Sequence, residues 1–208
     1  MPRRSEHSAQ KLLRAARAMI GRGGFSGLRL RAVARKAGVN LGLFHYHFGT
    51  RKIFVRRLLQ DIYEDFFGRL RLESGSGGRP VERLRRALLV FGAFARDNRD
   101  IFVALLAEAL HGDAEAVSYL QANVPRHVQV ITDIVAQGQK AREIKPLPLP
   151  VAASFALSAM GAPNLMFTAM ERGGGASMRR KLKFYREEFL SDSAIRRRAD
   201  LVIAALGR

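Results

Sequence analysis

The 208 residues contain no cysteine and no tryptophan. The lack of cysteine excludes a disulfide framework, a Cys-ligated zinc or iron–sulfur centre and a thiol nucleophile. Acidic side chains are scarce: 18 Asp and Glu stand against 36 Lys and Arg, a formal net charge of +18 with His neutral. Alternating strand patterns longer than four residues are missing, and no internal repeat is visible. One stretch, residues 146–170, carries no charge, but it includes Pro148, Pro150, Ser154, Ser158, Pro163, Asn164 and Thr168. It reads as a helix packed inside a protein rather than a membrane span. The polar stretch Met1–Gln10 is not followed by the apolar core of a secretory signal. The expectation is a soluble, cytoplasmic chain with no membrane partner.

Groups for catalysis are also missing. The five His residues (7, 45, 47, 111 and 127) fall in no metal-ligand spacing, and His45 and His47, two apart on a helix, face apart. No glycine-rich phosphate loop ends in Gly-Lys-Ser/Thr, and no nucleophile elbow appears in a strand-to-helix setting. Glu187 and Glu188 are adjacent residues on a surface rather than a carboxylate cluster. Neither enzyme, metal site nor cofactor is expected.

What the chain does have is concentrated basic charge. Residues 1–57 hold fourteen basic side chains and one acid, Glu6, a net of +13; residues 58–208 add only +5. Such a field calls for a polyanionic partner. The apolar period is helical throughout. Leu12, Leu13, Ala16, Met19 and Ile20 share one face of a first helix, with Ser5 or Ser8 as N-cap, and the glycines at 21, 23, 24 and 27 end it around Phe25. Leu30, Val33, Ala34 and Ala37 form the stripe of a short second helix closed by Gly38. Asn40 caps a third helix from Leu41 to Phe48. Thr50 caps a fourth running to about Leu72. Beyond the turn-rich stretch Glu73–Pro80, helices are expected near 80–97, 99–111, 113–123, 126–142, 149–171, 177–190 and 193–206, with Pro125 separating two of them.

Two short helices joined by a glycine turn inside the basic segment form the pattern of a helix-turn-helix DNA reader. Ala34 supplies the small packing residue, Gly38 the left-handed turn residue and Val39 the apolar turn anchor. Phe44 and Phe48, four apart, are expected to bury. Leu41, Gly42, Leu43, His45 and Tyr46 then point outward or sideways toward a major groove about 12 Å wide.

The run from Ala34 to Lys52, Ala-Arg-Lys-Ala-Gly-Val-Asn-Leu-Gly-Leu-Phe-His-Tyr-His-Phe-Gly-Thr-Arg-Lys, resembles the signature of the TetR family of bacterial transcriptional regulators. Gly24-Phe25, the helix before them and the long helix after Thr50 sit at the family's spacing. The resemblance covers residues 9–60 and implies an all-α protein. It would have a three-helix DNA-binding domain, residues 1–52 with the start of a connecting helix to about 72, and a helical effector-binding and dimerisation domain, residues 53–208. It implies a homodimer on a palindromic operator in double-stranded DNA, usually a repressor released or recruited by a small-molecule effector.

Carried over residue by residue, Gly42 and Leu43 stand where the family meets base edges. His45 and Tyr46 stand where it uses aromatic or polar groups at bases and phosphates. Arg51 stands for a lysine at a phosphate, followed by Lys52, and Asn40 for a small polar cap that touches the backbone. Leu43 and His45 depart from the family's Thr and Tyr. Leu28 replaces a Thr, so Arg29 is expected to take over its phosphate contact. Leu41 or Leu43 reads alternatively as an extension of the core, and His47 reads as a packed side chain. Arg3 and Arg4 read equally as a tail or as an arm for the minor groove.

In the larger domain, Phe66, Phe91, Phe94, Phe102, Met160 and Phe167 are the candidates for an effector pocket. Ala152, Ala156 and Ala159, with Val202 and Leu206, are the candidates for a dimer interface, because small residues allow helices to approach closely. The competing reading is a basic helical protein that binds DNA or an anionic membrane without sequence preference or effector.

Overall fold

The computed structural model describes residues 2–19 and 28–208, with side chains from His7 onward. Ten helices are present among the described residues, and no strand forms beyond a single bridge between Ile144 and Gly207. The all-α expectation holds. The expectations for Ile20, the glycines at 21–27 and Phe25, and for the Arg3 and Arg4 side chains, lie outside the described residues.

Two compact units divide the chain, Met1–Glu64 and Asp65–Arg208. In the first, α1 (Pro2–Arg17), α2 (Leu30–Ala37) and α3 (Leu41–Phe48) pack on one another, and the N-terminal part of α4 (Arg51–Gly75) completes the unit. Because α1 starts at Pro2, Ser5 and Ser8 lie within the helix and neither is its N-cap. Leu12, Ala16, Leu28, Val33, Phe44, Phe54 and Leu58 are buried and form the core.

In the second unit α5 (Pro80–Asp97) packs against α7 (Ala114–Lys140), α8 (Leu149–Gly173) and α10 (Asp192–Leu206), with α6 (Arg99–Leu110) and α9 (Ala176–Leu190) against α8. At Gly92 the close approach requires glycine: a Cβ there would lie 2.6 Å from the Met160 methyl and 2.9 Å from Ile195 Cγ2. The helix α8 is long and apolar enough to cross a membrane, but one of its faces is packed within the unit, including the fully buried Asn164 and Thr168.

Two helices are longer than the sequence suggests. The segments 113–123 and 126–142 are one helix, α7, with Pro125 inside it. Proline removes the bond to the carbonyl of residue 121. Both Gln121 and Pro125 are exposed, so water can satisfy that carbonyl, while the inward Asn123 donates from Nδ2 to the Tyr119 carbonyl at 2.9 Å. Similarly, α4 continues to Gly75 rather than ending near Leu72. Its last carbonyls are taken by arginines of α5: Arg83 Nε donates to Ser74 O at 2.6 Å and Arg86 Nε to Glu73 O at 3.2 Å.

Candidate nucleic-acid interface

The turn between α2 and α3 is set by two residues. Gly38 sits at φ +62° and ψ +35°, and its N–H and that of Val39 return to the Arg35 and Ala34 carbonyls. That left-handed conformation suits glycine far better than any residue with a Cβ. Asn40 then caps α3, its Oδ1 accepting from Gly42 N at 2.8 Å. Thr50 caps α4 in the same way, its Oγ1 accepting from Ile53 N at 3.2 Å. Both capping expectations hold.

The helix α3 is fixed from below by aromatic packing. Phe44 and Phe48 are buried as expected, and both pack on Phe54, with ring centroids 4.9 and 4.8 Å apart. The opposite face is open. Gly42, Leu43, His45 and Tyr46 are exposed, Tyr46 at 75%, while Leu41 is half-buried and Leu43 is 40% exposed. His45 Nδ1 lies 3.1 Å from the Gly49 carbonyl. His47 is half-buried, and its Nε2 is buried without a partner.

Every described cation of the first unit is exposed: Lys11, Arg14, Arg17, Arg29, Arg31, Arg35, Lys36, Arg51, Lys52, Arg56 and Arg57. Arg29 occupies the N-cap position of α2 without a capping side-chain bond, and Leu28 beside it is buried at 2%. Neither α2, α3 nor α4 has an acid in its first turn, and α4 opens with Arg51 and Lys52. A cation at a helix N-terminus opposes the helix dipole, and the arrangement becomes favourable when an anion is shared between the side chain and the free amides.

The candidate effector residues do not form one group. Phe66 stacks on Phe94 at 3.9 Å and lies 6.1 Å from Phe91, and Phe94 meets Phe102 edge-on at 5.2 Å. The Met160 methyl occupies the hollow at Gly92, and Phe167 packs elsewhere, with Leu182, Phe189 and Leu190. His127, which spacing arguments passed over, belongs to the first cluster, its ring 5.4 Å from that of Phe91 and 5.9 Å from that of Phe66. Burial among these rings pushes its pKa down to about 4. A lone histidine on an otherwise ordinary helix gives no periodic signal for this placement.

The candidate interface residues also differ from their expected placing. Ala152, Ala156, Val202 and Leu206 are all at most 2% exposed within the single chain, and Ala159 is half-buried. These residues pack α8 and α10 into their own unit. The outward face of α8 instead carries Val151, Phe155, Ala162 and Met166, and that of α10 carries Leu201.

Comparison with known proteins places this geometry. Residues 12–58 match the family model for bacterial regulatory proteins of the tetR family. A probable HTH-type transcriptional regulator, YttP of Bacillus subtilis, is 22% identical over 142 residues, covering 67% of this chain and 69% of that one. The fold is shared over nearly the whole chain with FadR of Bacillus subtilis, solved with stearoyl-CoA. Its TM-score is 0.71 at 13% identity, covering 95% of this chain and 98% of that one. A regulator from Saccharomonospora viridis solved with choline gives a TM-score of 0.72 at 20% identity, covering 88% and 96%. With the family's signature lying on the exposed helix pair, residues 12–58 are similar to the DNA-binding domain of bacterial regulatory proteins of the tetR family.

Proposed function

We propose that the protein is a cytoplasmic, effector-responsive repressor that binds a palindromic operator as a homodimer. The observation that supports this best is the open face of α3, held by Phe44, Phe48 and Phe54 within a unit whose described cations are all exposed. Residues 1–52 read DNA: Leu43 and Gly42 meet base edges, His45 and Tyr46 meet bases or phosphates, and Arg29, Asn40, Arg51 and Lys52 hold the backbone. Residues 53–208 receive the effector and pair the subunits. The Phe66–Phe91–Phe94–Phe102 cluster with His127 favours an apolar small molecule, and two proteins of this fold were solved with stearoyl-CoA and with choline. The outward apolar stripe of α8 together with Leu201 suits a second copy of the chain.

Selection of bound fragments from random duplex DNA at near-physiological salt tests the reading. A single palindrome preferred by about 10³ or more over random sequence is expected. Arg51→Ala should weaken all DNA about equally, and Leu43→Ala should change the base preference. Binding without enrichment that vanishes as salt rises would support non-specific association instead.

A further inference from the structure

On the exposed face of α3 two described side chains, His45 and Tyr46, carry hydrogen-bonding groups beside the apolar Leu43 and the bare Gly42. They are not equivalent. A tyrosine hydroxyl donates or accepts by rotating. The His45 ring is fixed at two points: its Nδ1 lies 3.1 Å from the carbonyl of Gly49, and its plane meets the buried Phe44 ring edge-on, with centroids 5.6 Å apart at 85°.

A carbonyl oxygen can only accept, so Nδ1 must carry the proton. The neutral ring then has its lone pair at Nε2, and that nitrogen can only accept. In the major groove the donors are few. Adenine offers its N6 amino group and cytosine its N4 amino group, whereas guanine and thymine present acceptors there. Phosphate oxygens are acceptors too, so a neutral Nε2 cannot bond to the backbone either.

Resting on the operator-binding reading above, we infer that His45 is a specificity-determining residue that selects an amino-bearing base. It admits adenine or cytosine, and rejects guanine and thymine, at one position on one strand of each half-site. The device lies in the end of the helix rather than in the helix face. Gly49, at φ +63° and ψ −68°, turns its carbonyl back toward the ring and so decides which nitrogen faces outward.

The test uses the full chain and two variants in the same random-duplex selection at pH 8. The wild type should return a palindrome with one position per half-site restricted to A or C. His45→Phe keeps the ring and removes both nitrogens, and should lower discrimination there by about tenfold while leaving the other positions intact. His45→Gln, which carries an acceptor, should restore part of it. A wild-type palindrome that survives His45→Phe at every position overturns the assignment and leaves the operator reading standing. Absence of any palindrome overturns both. Should the variants fail to fold, the imidazole nitrogen shifts of the wild type decide the matter by NMR. Protonation at Nδ1 with a bare Nε2 is required, and the opposite tautomer refutes the proposal.

Discussion

The two units use positive charge in opposite ways. The first has fourteen Lys and Arg and only three acids, Glu6, Asp61 and Glu64, so it cannot neutralise itself. In the second unit, cations are engaged across helices. Arg172 donates to Asp100 at 2.7 Å, Arg186 to Glu171 at 2.9 Å, Arg85 to Asp200 at 2.7 Å and Arg197 to Glu188 at 3.0 Å. Arg198 and Arg96 donate to the Phe189 and Leu190 carbonyls, the negative end of α9. Arginine in the second unit ties helices together. In the first, fourteen cations face three acids, a surplus that the proposed DNA-binding role would use.

The contrast breaks first under salt. If six to ten phosphates are neutralised per dimer, DNA affinity should drop by roughly 10³–10⁵ between 50 and 200 mM salt. The thermal stability of the free protein should move by less than about 1 kcal/mol, since partly exposed ion pairs contribute little. Fluorescence anisotropy and calorimetry on the same samples read both. Equal sensitivity would mean that the first unit's charge serves folding.

A second test removes the aromatic support of the open face. Phe44→Ala should destabilise the first unit by about 3–5 kcal/mol, because a fully buried ring leaves a cavity. Denaturant unfolding followed by hydrogen exchange should show protection lost in α1–α3 and kept in α5, α8 and α10.

The smallest effect is titration in the second unit. His127 has its pKa pushed down to about 4 by burial, from an unfolded value near 6.5. The folded state therefore resists the proton, and stability present above about pH 6.5 is lost as pH falls toward 4. At pH 5 the loss is about 2 kcal/mol. His127→Phe should flatten that slope, as measured by melting between pH 7.5 and 5; an unchanged slope would assign the acid sensitivity to other groups.

Much of the first unit was legible because its signals are local. Gly38 marks a left-handed turn, Asn40 and Thr50 mark helix starts, and Phe44 and Phe48 are four apart on one face. Each acts within a few residues of itself. What escaped the reading depends on distant contacts. Pro125 reads as a break, yet an exposed carbonyl and an inward Asn123 let α7 run through it. The end of α4 is set by Arg83 and Arg86, which lie in the next helix. Small residues at 152 and 156 announce close packing but not its partner, which is the chain's own core rather than a second copy. His127 enters the aromatic cluster only because α7 packs against α5.

The hollow at Gly92 carries one more consequence. The Met160 methyl and the Ile195 side chain occupy the space that a Cβ would need, so these three positions share a single volume. Among related chains, a side chain gained at 92 is expected to be matched by a shorter one at 160 or 195. Such a paired exchange would let the family retune this crossing without altering the helices that meet there.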